Sequence, residues 1–308
     1  MTLRLTWADF PDSLRRRLEA LLGQPLERTT SCSGGFSRSS AEILHGAGGR
    51  SLFVKAVREA DNPGSLRLNR AEAAVLAGMP PAAPVPALVE AFTLEDWFVL
   101  VTKAAPGRIP AQPWDPGTLD QVLDTLDALQ RATTPCPIAD LPSLEESLGH
   151  DLQGFDRVAE DPPTDLDPWL AAKLPALQAA ARRGLDALAG DTLCHSDVRA
   201  DNLLVTDAGC TSIVDWAWAS RGSRIADALQ LLSSVADPDG TLEVSRRIDA
   251  VLDAQGMDRQ CGTDVLAGIL GFFVDAARWP EDPRLPLLGA HRARSRDTLF
   301  ALVRERWD

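Results

Sequence analysis

Apolar positions in the first hundred residues switch between two spacings. Leu14, Leu18, Leu21 and Leu22 recur at helical intervals and predict an amphipathic helix over residues 11–22. Alternation then predicts three strands in a meander, over 27–33, 39–44 and 50–57. The last two are joined by His45-Gly46-Ala47-Gly48-Gly49, whose glycines permit the positive dihedral angles of a tight reversal. A helix is predicted over 66–77, and two more strands over 88–93 and 97–102. Proline and glycine cluster over 106–117 and mark the expected boundary between a β-rich part and a helical one.

Beyond that cluster helical periodicity dominates, over 118–131, 144–158, 167–188, 225–235, 242–255, 264–278 and 285–306. Two short strand-like pieces interrupt it, 202–205 and 211–214, joined by the turn signal Thr206-Asp207-Ala208-Gly209. The pattern is that of an α+β protein with the sheet near the N-terminus. No internal repeat or low-complexity segment is present.

Charge narrows the partners. Of 308 residues, 31 are Lys or Arg and 44 are Asp or Glu, a formal net charge of −13. Nucleic-acid phosphates are held by clustered cations, and there is no basic run beyond Arg15 to Arg17, in a helical pattern, and the spaced Arg292, Arg294 and Arg296. Nucleic acid is therefore excluded as a partner. The longest apolar segment, 265–274, is too short to span a bilayer and is bracketed by Asp264 and Asp275, so no membrane association and a cytoplasmic location are expected. Five scattered cysteines without a Cys-x-x-Cys pair indicate neither a disulfide framework nor a zinc site.

The chemistry concentrates in His195-Ser196-Asp197-Val198-Arg199-Ala200-Asp201-Asn202, followed by the short hairpin and Ile213-Val214-Asp215-Trp216. Singly, Asp197, Asn202 and Asp215 are ordinary turn residues. Jointly, an Asp, an Asn five positions later and a second Asp beyond a hairpin can bring three oxygen-bearing side chains to one space. Phosphoryl transfer asks for that set: a carboxylate and an amide oxygen for a hard divalent cation, and a free carboxylate to take the proton of an attacking hydroxyl. Lysine use points the same way. Only Lys55, Lys103 and Lys173 occur, so a lysine inside the apolar strand Leu52-Phe53-Val54-Lys55-Ala56-Val57 suggests need for a compact ammonium against phosphate, with Glu72 on the next helix to hold it. The Ser33-Gly34-Gly35-Phe36-Ser37-Arg38 segment precedes that strand, as a phosphate-covering loop would, although a Gly-Gly hairpin turn explains it equally.

With these motifs in this order, the chain resembles the aminoglycoside phosphotransferase and choline kinase-like branch of the protein-kinase-like fold, from Ser33 to about Leu232. The resemblance implies two lobes: a small antiparallel-sheet lobe over 1–103 that binds nucleotide, and a larger, mainly helical catalytic and substrate-binding lobe over 104–308. It implies transfer of the γ-phosphoryl group of ATP or GTP, with Mg²⁺, to a hydroxyl of an antibiotic or of an amino-alcohol or sugar metabolite. Carried over, Asp197 is the catalytic base, Asn202 and Asp215 the magnesium ligands, Lys55 the phosphate anchor and Glu72 its partner. Ser37 then lies in the phosphate loop, and Lys103 and Ala104 in the hinge that meets the base. Asp227 matches the aspartate that props the catalytic loop, and His195 is a structural brace. The chain departs from the family at Ser196, where glycine is usual, and at Arg38, where asparagine is frequent. Asp215-Trp216-Ala217 in place of Asp-Phe-Gly, with no Ala-Pro-Glu, favours a small-molecule acceptor over a protein.

Asp264, Asp275, Glu281 and Asp282 are candidates to receive a cationic acceptor. A monomer or homodimer is expected. A catalytically dormant relative that binds nucleotide or ligand as a regulator is the alternative.

Overall fold

The structure, a computed structural model, describes residues 5–32, 39–280 and 288–307. Its first elements in chain order are α1 (Asp12–Leu22), β1 (Leu26–Ser31), β2 (Ser40–Gly46), β3 (Ser51–Arg58), α2 (Pro63–Ala77), β4 (Leu88–Leu94) and β5 (Trp97–Lys103). There follow α3 (Pro116–Ala132), α4 (Leu144–Leu152), α5 (Gly154–Glu160), α6 (Pro168–Ala187), β6 (Thr192–Cys194), β7 (Leu203–Val205), β8 (Thr211–Ile213) and β9 (Ser220–Gly222). The chain closes with α7 (Ala226–Ser233), α8 (Val244–Ala254), α9 (Gln260–Ala276) and α10 (Leu288–Trp307). Two compact units result: Met1–Ile109 with Asp201–Trp218, and Pro110–Ala200 with Ala219–Asp308.

In the first unit β1 to β5 form one antiparallel sheet in the order β1-β2-β3-β5-β4. Side chains alternate between its faces. Leu44, Leu52, Val54, Ala56, Val99 and Val101 pack into one cluster with Phe10 and with Leu14, Leu18 and Leu22, the apolar stripe of α1. Phe53 and Lys55 are left on the other face. Helix α2 begins three residues before its apolar periodicity, because Asn62 accepts the Ser65 amide at 3.0 Å and Pro63 occupies the first turn, where no donor is needed.

The β7–β8 hairpin belongs to this same unit although it lies a hundred residues further along the chain. Backbone pairing holds it there: Arg108 and Val205 exchange hydrogen bonds of 2.9 and 2.8 Å, and the Ile213 amide donates to Pro84 at 2.8 Å. Gly107 makes the approach possible. Its φ is +111° and an added Cβ would lie 2.7 Å from the Val205 carbonyl oxygen.

The second unit is mainly helical, and α9 is buried along most of its length. Its backbone approaches two neighbours closely: a Cβ at Gly184 of α6 would meet the Asp264 carbonyl oxygen at 2.4 Å, and one at Gly154 would meet that of Gly271 at 2.2 Å. The helix expected over 144–158 is two helices, α4 and α5, broken at Gln153, and the second begins at this contact. The pair β6–β9 is too short for periodicity to reveal. Among the described residues no helix is long and apolar enough to cross a membrane.

Candidate active site

Strand alternation turns Phe53 and Lys55 of β3, and Ala41 and Ile43 of β2, toward a cavity of about 260 Å³ within the first unit. Helix α2 supplies Glu72 and Leu76, one helical turn apart. The β7–β8 hairpin supplies Asn202, Leu204, Val214 and Asp215. Lys103, Ala104 and Ala105, at the end of β5, complete the wall, with Thr102 beside them. Of the residues singled out in the sequence, Lys55, Glu72, Lys103, Ala104, Asn202 and Asp215 thus line one cavity. Asp197 lies in the second unit, and Ser37 lies outside the described residues.

The Lys55 ammonium donates to Glu72 Oε2 at 2.6 Å and to Asp215 Oδ1 at 2.8 Å. Burial pushes the Lys55 pKa down, and the two carboxylates outweigh it, so the value is raised above that of an ordinary lysine and the group stays charged. The two acceptors are not equivalent. Glu72 is 6% exposed and fixed beneath the sheet, whereas Asp215 is 38% exposed and opens to solvent. One partner is buried, then, and the other is within reach of solvent.

Asp215 has φ +67°, a left-handed conformation that aspartate tolerates better than most residues. It follows Val214, whose amide donates to the Asn202 carbonyl at 3.0 Å, so the base of the hairpin brings the Asn202 and Asp215 segments together. Among the described residues no group of three or more His, Cys, Asp or Glu could hold a metal by itself. One carboxylate and one amide oxygen suit Mg²⁺, which keeps several waters and takes its remaining oxygens from phosphate.

The cavity wall around 102–105 carries polar groups of two kinds. The Lys103 and Ala104 amides are committed, donating to Ala87 at 2.9 Å and to Ser51 at 3.1 Å. The Ala105 amide has no protein acceptor among the described residues. Thr102 Oγ1 is buried and without a partner. Leaving such a hydroxyl unmet costs about 1–3 kcal/mol, which a polar ligand would recover. Thr102 and Ala105 flank Lys103 and Ala104 in the hinge segment that the family resemblance implies, but nothing in the sequence marks this hydroxyl and this amide as the groups left without an acceptor or donor.

In the second unit, Asp227 is fully buried at the start of α7, where its carboxylate accepts the His195 amide at 3.1 and 2.9 Å and the Ser196 amide at 3.1 Å. Burial raises the Asp227 pKa, against the pull of the His195 ring and these amides. The Asp197 amide donates to His195 Nδ1 at 3.2 Å. Asp197 keeps a partly exposed carboxylate, with Arg199 Nη1 3.5 Å away. Ser196 has φ +64°, a conformation costing roughly 1–2 kcal/mol without glycine. Its hydroxyl pairs with Ser220 at 2.6 Å, a contact glycine could not make.

Other features have structural uses. Trp216 is buried beneath the hairpin with its indole N–H on the Ile213 carbonyl at 3.0 Å, while Trp218 is exposed, with the Arg67 guanidinium 5.7 Å from its ring centroid. Burial and the Asp227 charge hold the Cys194 thiol well above its ordinary pKa, so it stays protonated. Asp264 and Asp275 are 4% and 2% exposed and closed by arginines. They present no free carboxylate to a cationic acceptor, and the expectation that they would is corrected here. Glu281 and Asp282 lie outside the described residues.

The fold matches solved structures along nearly its whole length. The apo form of a thermostable mutant of aminoglycoside phosphotransferase APH(4)-Ia superposes with a TM-score of 0.60 at 16% identity, covering 94% of this chain and 98% of that one. Spectinomycin phosphotransferase APH(9)-Ia, in complex with ADP and spectinomycin, gives 0.61 at 12% identity, covering 94% and 97%. Amicoumacin kinase hAmiN, in complex with AMP-PNP and Ca²⁺, gives 0.56 at 14% identity, covering 94% of both chains. At such identities the likeness is one of fold, and that fold is protein-kinase-like. No curated protein sequence matches the chain. A model of the phosphotransferase enzyme family matches residues 28–261, more than half of its length, and the chain belongs to that family.

Proposed function

We propose that this phosphotransferase moves the γ-phosphoryl group of ATP or GTP to a hydroxyl of a small molecule, with Mg²⁺ held by Asn202 and Asp215. The observation that carries the reading is the Lys55 ammonium, set between a buried and a part-exposed carboxylate on the wall of a cavity with an apolar face. A nucleotide entering that cavity meets Ala41, Ile43 and Phe53 with its base, and finds the Ala105 amide and Thr102 hydroxyl for its polar edge. Lys55 binds the phosphates and Glu72 keeps it aimed. Asp215, with Asn202, would hold the metal, whose chemical contribution would be to neutralise phosphate charge.

Asp197 orients the acceptor hydroxyl. As the acceptor oxygen bonds to the γ-phosphorus, the bond from that phosphorus to the bridging oxygen of the nucleotide breaks, the nucleoside diphosphate leaves, and the hydroxyl proton passes to the Asp197 carboxylate. In this reading residues 1–103 serve as the nucleotide-binding lobe and residues 104–308 as the catalytic and acceptor lobe, with the 201–218 segment contributing its metal ligands to the former. The named relatives act on antibiotics, and a hydroxylated antibiotic or an amino-alcohol or sugar metabolite is the acceptor class proposed here. A panel of such compounds, assayed by coupled detection of the nucleoside diphosphate, tests the proposal. Turnover that depends on Mg²⁺ and on one acceptor class is expected. Full turnover by Asp197→Ala would falsify the mechanism.

A further inference from the structure

Residues 195–198 are irregular backbone, and their four consecutive amides are satisfied by side chains. Those of His195 and Ser196 go to Asp227, that of Asp197 to the His195 ring, and that of Val198 to Gln230 Oε1 at 2.8 Å. The same Gln230 carboxamide donates from Nε2 to the Ser196 carbonyl at 2.9 Å. Gln230 therefore grips the chain immediately before and immediately after Asp197. It lies one turn beyond Asp227 on α7, so the two side chains project from the same helical face.

The chemistry of this grip is restrictive. A carboxamide offers a donor and an acceptor in one plane, as a peptide group does. A leucine can do neither, and an ionised glutamate can accept from Val198 but cannot donate to Ser196. The grip also falls beside the left-handed backbone of Ser196, an unfavourable conformation that persists only where its surroundings impose it.

We propose that Gln230 is a positioning residue: by fixing the backbone on both sides of Asp197 it aims that carboxylate at the acceptor hydroxyl. The inference rests on the reading of Asp197 as the base.

The test compares wild type, Gln230→Leu and Gln230→Glu. In Gln230→Leu, kcat should fall about ten- to hundredfold, on the scale that small misplacements of a reacting group cost, with the nucleotide KM within twofold. In Gln230→Glu, the ratio of kcat to that of wild type should be low at pH 8 and rise as the pH falls, because the protonated carboxyl regains a donor for the Ser196 carbonyl; general instability would not produce that recovery. Amide hydrogen exchange on nucleotide-free protein supplies a readout independent of turnover: the Val198 amide should be protected in wild type and lose protection in Gln230→Leu.

A folded Gln230→Leu with kcat within twofold of wild type overturns the proposal. So does a pH-independent Gln230→Glu ratio, or a Val198 amide unprotected in wild type. Should Gln230→Leu fail to fold, the nearly isosteric Gln230→Glu and the wild-type exchange measurement still decide. Absence of turnover in wild type with every acceptor removes the underlying reading and this role together, whereas normal wild-type turnover with flat variant results removes only the role.

Discussion

Carboxylates paired with cations occur in both units, and the cations differ. In the first, Glu72 and Asp215 share the single Lys55 ammonium. In the second, Asp264 takes both prongs of the Arg183 guanidinium at 2.8 and 2.7 Å, and Asp275 is closed by Arg157 at 2.7 Å and by Arg278. Guanidinium forks match a carboxylate edge to edge and leave it little else to bind; an ammonium is a point charge whose hydrogen bonds rearrange at small cost. The arginine pairs fasten α9 to α5 and α6 and close the unit. The lysine pair lines a cavity, and one of its partners, Asp215, is open to solvent. The cation that holds each of these carboxylates, and whether solvent reaches it, thus separates closed pairs from an open one.

Four experiments bear on that contrast. The largest effect is expected at Asp197, whose carboxylate is partly exposed with Arg199 Nη1 3.5 Å away: Asp197→Ala should lower kcat about 10²–10⁴-fold, read by nucleoside diphosphate release, with the melting temperature little changed. Loss of folding rather than of turnover would put Asp197 in the structural class.

Next, Lys55→Ala removes the ammonium between two carboxylates and should reduce kcat/KM roughly 10²–10³-fold, the scale of removing one preorganised electrostatic contact. Nucleotide-dependent thermal stabilisation should weaken in parallel. Unchanged nucleotide binding would count against the cavity as the nucleotide site.

At Asp275 the expected effect is on stability. Asp275→Ala strands two arginines and should cost about 3 kcal/mol in urea denaturation at pH 7, with the folded protein still active. Burial raises the Asp275 pKa, but the hydrogen bonds and charges of Arg157 and Arg278 outweigh it and hold the pKa below the usual carboxylate value. Its stabilisation is therefore present above the unfolded-state value of about 3.9 and lost as the pH falls through the lower folded value. The gap between wild type and variant should narrow below about pH 4. A gap independent of pH would mean that packing, not the ion pair, is what the substitution removes.

The smallest effect belongs to Thr102→Val, which deletes the unpartnered hydroxyl. Free-protein stability should change by under about 1 kcal/mol or improve, while nucleotide affinity weakens by about 0.5–1.5 kcal/mol in titration calorimetry. Equal affinity in both proteins would show that the hydroxyl meets no ligand.

Much of this was legible before any coordinates. The order Lys55, Glu72, Asp197, Asn202, Asp215 identified the chemistry because phosphoryl transfer needs those residue types and because lysine is scarce in this chain. The meander and the long helices followed from apolar periods of two and 3.6, which survive any tertiary arrangement because half-buried elements must keep one apolar face.

What the residue order could not carry were relations between segments far apart in the chain: the stitching of residues 201–218 to Arg108 and Pro84, the close approach of Gly154 to Gly271, the arginines that silence Asp264 and Asp275, and the carboxamide of Gln230 bracketing Asp197. The sequence by itself determined which functional groups are present and the local period of the backbone that bears them. Tertiary structure alone decided which charges are neutralised and which remain available, because an ion pair or a buried hydrogen bond is set by distance in space, and a linear sequence constrains such distances only within a turn or a strand.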